Sequence, residues 1–191
     1  TEAPKTMPLG KRYEGDYWQV DETEYRAYAD ATDDRNDAYL GAGSIAPPMY
    51  HVKPFIDVMF KMASDPELEL DLLRLVHAEH DMVFHAPMKH GDILQLRGTL
   101  KSVEEKSSGR LVNYGLVGFL DGEIALEGNT SYFIRGKRRK EGSGKPKAKA
   151  PAPELPPVSW SKAQAVTDDQ ALRYAAASGD DNPIHVDENT A

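Results

Sequence analysis

The sequence predicts an α+β protein, a long helix wrapped by an antiparallel sheet, followed by the beginning of a second copy of the same unit. Three observations carry this. From residue 73 onward the apolar period is two, in LRLVHAEHDMVF, DILQLRGTLKSV, RLVNYGLVGFL and EIALEGNTSYFI, which is the alternation of half-buried strands. Ahead of them, YHVKPFIDVMFKMAS follows paired prolines and reads as a helix. Finally, residues 20–40, VDETEYRAYADATDDRNDAYL, recur at 166–186 as VTDDQALRYAAASGDDNPIHV. The two align without a gap, Val20 on Val166, Tyr28 on Tyr174, Ala29 on Ala175, Ala31 on Ala177, Asp34 on Asp180 and Asn36 on Asn182.

Each copy of the repeat predicts a short helix entering an acidic loop. Asp21-Glu22-Thr23-Glu24 and Thr167-Asp168-Asp169-Gln170 both fit a capping box, a capping side chain followed three residues later by Glu or Gln. Tyr25, Tyr28 and Ala29 then share a helical face, as do Ala171, Tyr174 and Ala175. The helices should end near Thr32-Asp33-Asp34 and Ser178-Gly179-Asp180. In the long helix, Val52, Phe55, Ile56, Met59, Phe60 and Met62 form a broad apolar face, and Pro54 falls in the early turns, where it does least harm. Ser107-Ser108-Gly109 and Asp121-Gly122 separate the last three strands, Asp-Gly being a strong signal for a tight hairpin.

These elements divide the chain into a complete first unit, 1–135, a linker, 136–157, and the start of a second unit, 158–191. The linker, GKRRKEGSGKPKAKAPAPELPP, is rich in Pro, Gly and Ala and carries seven Lys/Arg against two Glu. The second unit is expected to be incomplete, because the sequence given stops before its own long helix and sheet. A strand, a helix and a loop cannot bury a core alone, so the expectation is a fragment, a cleavage product, or completion by another chain.

Composition narrows the function. With no cysteine, disulfides, thiolate nucleophiles and Cys-based zinc sites are excluded, which fits a reducing cytoplasm. No apolar run approaches a membrane span, and TEAPKTMPLGKRYEGDYW has no apolar signal region. A net charge of -8 argues against general nucleic-acid binding. His77, His80, His85 and His90 are close in sequence, but strand parity points 77 and 85 one way and 80 and 90 the other, and no spacing matches a helical ligand pair, so no metal is expected.

The differences between the copies locate the chemistry. The second holds an acid and an imidazole, Asp180 and His185; the first holds Asp34 and Asn36 but has Tyr39 where the histidine would be, and reads as a structural loop. Ala177-Ser178-Gly179-Asp180-Asp181-Asn182-Pro183-Ile184-His185-Val186-Asp187 resembles the SGD-x-NP-x-H signature of the MaoC-like, (R)-specific enoyl-CoA hydratase family. Ala86-Pro87-Met88-Lys89-His90-Gly91-Asp92 is similar to that family's P-x-x-x-GD turn. The resemblance covers essentially the whole chain. It implies a tandem double hot-dog fold, a catalytic C-terminal repeat, truncated here, and an N-terminal repeat that makes room for the acyl chain.

That resemblance implies reversible hydration of a trans-2-enoyl-CoA, or of an acyl-carrier-protein thioester, to the (3R)-hydroxyacyl product, with no cofactor. The chemistry of the residues agrees, since an acid and an imidazole five residues apart on one loop can hold one water and exchange protons with it. Asp180 and His185 are the expected dyad, with Asn182 orienting it, Ser178 and Gly179 shaping the turn and Pro183 stiffening it. In the family a glycine near the start of the central helix supplies an N–H to the thioester oxygen. The first copy has Pro47-Pro48 in that stretch, and the second has no such helix in the sequence given. Two alternatives stand: a hot-dog thioesterase, which would not be expected to carry SGD-x-NP-x-H, and a non-catalytic acyl-CoA-binding or interaction subunit. Expected partners are the thioester, the missing half of the second hot-dog, and a second copy in a homodimer.

Overall fold

The computed structural model describes residues 7–136 and 157–187. In chain order these form β1 (Arg12–Gln19), α1 (Glu22–Ala31), α2 (Asp37–Leu40), a 3-10 turn (Pro48–His51) running into α3 (Val52–Ala63), β2 (Leu75–Phe84), β3 (Ile93–Lys106), β4 (Gly109–Leu120), β5 (Glu123–Arg135), α4 (Gln170–Ser178) and α5 (Pro183–Val186). The strands make one antiparallel sheet in the order β1-β3-β4-β5-β2. All four strands expected after residue 73 are present. Asp121 and Gly122, both at positive φ, turn β4 tightly into β5. The basic stretch read as a linker lies, apart from its two end residues, outside the described residues.

The long helix lies against the sheet because the sheet gives way to it. A Cβ on Gly15 of β1 would sit 2.6 Å from Val58 Cγ2, and one on Gly98 of β3 would collide with the Met62 sulfur. The buried stripe of α3 is Phe55, Val58 and Met62, spaced three and four apart. Three tyrosines complete the core in edge-to-face contact, Tyr13 on Tyr114 at 6.1 Å and Tyr114 on Tyr132 at 5.7 Å. Their hydroxyls are satisfied at the end of α3, Tyr114 donating to the Met62 carbonyl and Tyr132 to that of Met59. Tyr13 donates to Asp65, which also holds Lys11 at 2.8 Å. Burial opposes the Asp65 charge, but these two donors outweigh it and hold its carboxyl below the usual range.

Three local expectations are corrected, and β1 is not among the strands read from the sequence. Strand β1 carries no clean alternation, because Gly15 and Asp16 interrupt it where the register to β3 shifts between Glu14 and Tyr17. Phe60, placed on the apolar face of α3, points to solvent, and Val58 takes the buried position instead. The first capping box forms by half: Asp21 accepts from the Thr23 N–H, but Glu24 turns to Lys53 and the Tyr50 hydroxyl. The second does not form. Thr167 donates to Asp169, residues 157–167 are neither strand nor helix, and α4 begins only at Gln170, whose side chain reaches across to Asp33.

Candidate active site

The repeat in sequence is a repeat in geometry. Helices α1 and α4 each end in a left-handed residue, Asp33 (φ 55°) and Gly179 (φ 83°), at equivalent positions. Each then enters a one-turn helix capped by an asparagine, Asn36 accepting from the Ala38 N–H and Asn182 from the Ile184 N–H. Proline at the first position of α5 has its ring in the helix and needs no N–H there. Ser178, buried at 2% exposure, accepts the Asp180 N–H and closes the turn. A Cβ on Gly179 would stand 4.0 Å from Ile56 Cδ1, so the loop rests on the central helix of the first unit.

This loop brings Asp180 and His185 together, Nε2 to Oδ2 at 3.9 Å. That exceeds a direct hydrogen bond, but a water about 2.8 Å from both atoms would subtend roughly a right angle, which suits its two hydrogen-bonding directions. Asn182 faces its own helix terminus, not the carboxylate, and so holds the backbone that carries His185. The two side chains open on a cavity of about 470 Å³ lined also by Ala31 and Thr32 of the first unit and Val166 and Tyr174 of the second. In the first copy, Asp34 accepts from the Asn36 N–H, and Tyr39 occupies the histidine position.

Sequence reasoning missed a histidine chain beside the site. A register shift between His77 and Glu79 resets the alternation of β2, so His77 and His80, assigned to opposite faces by parity, meet edge to face at 5.5 Å. His80 stacks on His51, with their Nε2 atoms 2.7 Å apart. The fully buried His51 lies 2.7 Å through Nδ1 from the Pro48 carbonyl, which can only accept. His51 Nδ1 therefore carries the proton, its Nε2 accepts from His80, and His80 Nδ1 is a buried acceptor with no partner among the described residues. Burial, then the neighbouring imidazoles, push His80 down to about 4. Burial also lowers His77, countered by the Glu79 backbone and by the charge of Asp180, which is near enough to be felt. His85 pairs with Glu127, and His90 accepts the Glu22 N–H. Among the described residues no group of three or more His, Asp or Glu could hold a metal ion.

A five-stranded antiparallel sheet curled on one long helix is a hot-dog unit. The chain belongs to the MaoC-like dehydratase family. Residues 8–120 match the dehydratase domain region of FAS1-like proteins, and residues 151–191 match the MaoC-like domain. A UPF0336 protein of Parafrankia is 32% identical over 148 residues, which span 68% of this chain and 97% of that one. A solved MaoC-like dehydratase superposes with a TM-score of 0.73 at 19% identity, over 95% of this chain and 69% of that one. The C-terminally truncated HadBC complex of Mycobacterium tuberculosis, a (3R)-hydroxyacyl-ACP dehydratase, matches with a TM-score of 0.55 at 24% identity, over 68% of this chain and 98% of that one. At these identities the structural matches establish the fold.

Proposed function

We propose that the Asp180–His185 pair is the proton-transfer half of a hydro-lyase site that adds water across a trans-2-enoyl thioester to give the (3R)-hydroxyacyl product, and reverses that reaction. The observation that carries this is the convergence of the two side chains at 3.9 Å on an apolar-walled cavity. A water held between them gives up one proton as its oxygen bonds C3. A proton is delivered to C2 from the same side, and the dyad ends in its starting state. Because both groups sit on one short loop, addition is syn. The thioester is a CoA or acyl-carrier-protein ester.

The thioester oxygen needs backbone donors as charge builds on it. Pro47 and Pro48 at the start of the first central helix have no N–H, which supports a non-catalytic role for the first unit. No long helix lies between residues 157 and 187, so the reading places these donors in a segment beyond them or in another chain.

The test is loss of enoyl absorbance when the protein, in its native assembly, meets crotonyl-CoA and a longer enoyl-CoA. Asp180→Asn and His185→Ala should each lower turnover at least about a hundredfold, the range of general acid–base contributions. Acyl-CoA binding without turnover, unchanged by His185→Ala, would move the assignment to a non-catalytic acyl-binding subunit.

A further inference from the structure

Helices α1 and α4 meet through the same face of the repeat. Tyr28 packs on Tyr174, its own counterpart, at 5.7 Å, and the cleft beside them is lined by Ala27, Asp30, Ala31 and their counterparts Arg173, Ala176 and Ala177. The shape of this seam is symmetric; its polar contacts are not. Arg173 donates to the Asp30 carbonyl at 3.0 Å and to Asp33 at 3.3 Å, and Gln170 donates to Asp33 at 3.2 Å. In the mirrored half the counterparts are Ala27, Glu24 and Gly179, which offer no such bonds. Asp33 also takes a left-handed backbone that its counterpart meets with glycine, a conformation that, glycine aside, Asp and Asn adopt most readily. Its carboxylate is the acceptor that both second-unit side chains grip.

We propose that this seam is a pairing selector: the first unit accepts a repeat presenting Gln and Arg at the positions of Gln170 and Arg173, and rejects a second copy of itself. A second first unit would bring Glu24 against Asp33 and an alanine where the guanidinium belongs. Like charge then replaces a charge-assisted bond at the same place. The selector concerns which units associate and is independent of catalysis.

Hydrogen exchange on the full chain tests it. Gln170→Glu, which gives the second unit the first unit's residue, should lower protection of the α4 amides about tenfold, as befits loss of a hydrogen bond to a charged group. Protection in β3 and β4 should stay unchanged. Asp33→Asn, which keeps a residue suited to positive φ, should restore α4 protection in that background. Unchanged α4 protection, protection lost equally in the sheet, or failure of the rescue would each overturn the proposal. Rejection is read separately by crosslinking, since the chain has no cysteine of its own. In the Gln170→Glu background, Tyr28→Cys should give no chain-to-chain product with a short bis-maleimide, whereas adding Glu24→Gln and Ala27→Arg should create one. A chain-to-chain product without those two changes would overturn it.

Discussion

Acidification from pH 8 to pH 5 should destabilise the first unit through its partly or fully desolvated imidazoles, the half-buried His80 above all. Folded His80 titrates at about 4, against 6.5 for an ordinary imidazole. The folded value is the lower one, so between these limits the unfolded chain binds more protons. Stability is therefore complete above about pH 6.5 and falls as the pH drops toward 4. At pH 5 the unfolded imidazole is almost fully protonated and the folded one is about one-tenth protonated, which corresponds to a loss of roughly 2 kcal/mol from this residue. His51 and His77, both lowered chiefly by burial, act in the same direction. The depressed carboxylate of Asp65 does not contribute there, because its stabilisation is lost only as pH falls below the ordinary value of 3.8. The assay is urea unfolding at the two pH values, where 2 kcal/mol moves the midpoint by about 1 M for a slope near 2 kcal/mol/M. His80→Gln keeps an N–H for His51 Nε2 and should remove a large part of that movement. A parent midpoint unmoved by pH, or a His80→Gln midpoint that moves as far as the parent's, would refute the reasoning.

Gly98→Ala should cost about 1–3 kcal/mol, because the new methyl meets the Met62 sulfur and α3 must lift from the sheet; thermal unfolding reads it. Tyr114→Phe should cost about 1–2 kcal/mol by leaving the Met62 carbonyl at the end of α3 without its buried donor, measured as a shift in urea midpoint at constant slope. Asp180→Asn should lower the pKa of His77 followed by NMR, since the lost anion favours the imidazolium. An unmoved His77 titration would place the Asp180 loop away from β2.

Much of this architecture was legible because its signals are local. The strands from 75 to 135 follow the apolar alternation, and Asp121-Gly122 makes the turn its dipeptide prescribes. The proximity of Asp180 and His185 also followed from the motif, since five residues with an asparagine cap and a first-turn proline leave one short path. What escaped depended on partners distant in the chain. The extra residue in β2 turns His77 toward His80, and only pairing with β5 reveals it. Strand β1 holds its place through β3 despite a glycine and an aspartate in its middle. Gln170 looks like half of a local cap, but its side chain serves Asp33 more than a hundred residues away.

The contact between Tyr28 and Tyr174 has a bearing on how the two copies can drift apart. At a position that touches its own duplicate, a substitution in one copy at once alters the surroundings of the other, so such sites change together or hardly at all. The tyrosine pair and the alanines at 31 and 177 remain alike in both copies. A step away along each helix, residue 27 is alanine where 173 is arginine, and 33 is aspartate where 179 is glycine. The positions at which the two copies differ thus flank the contact, where one copy carries a charge and the other the acceptor that holds it.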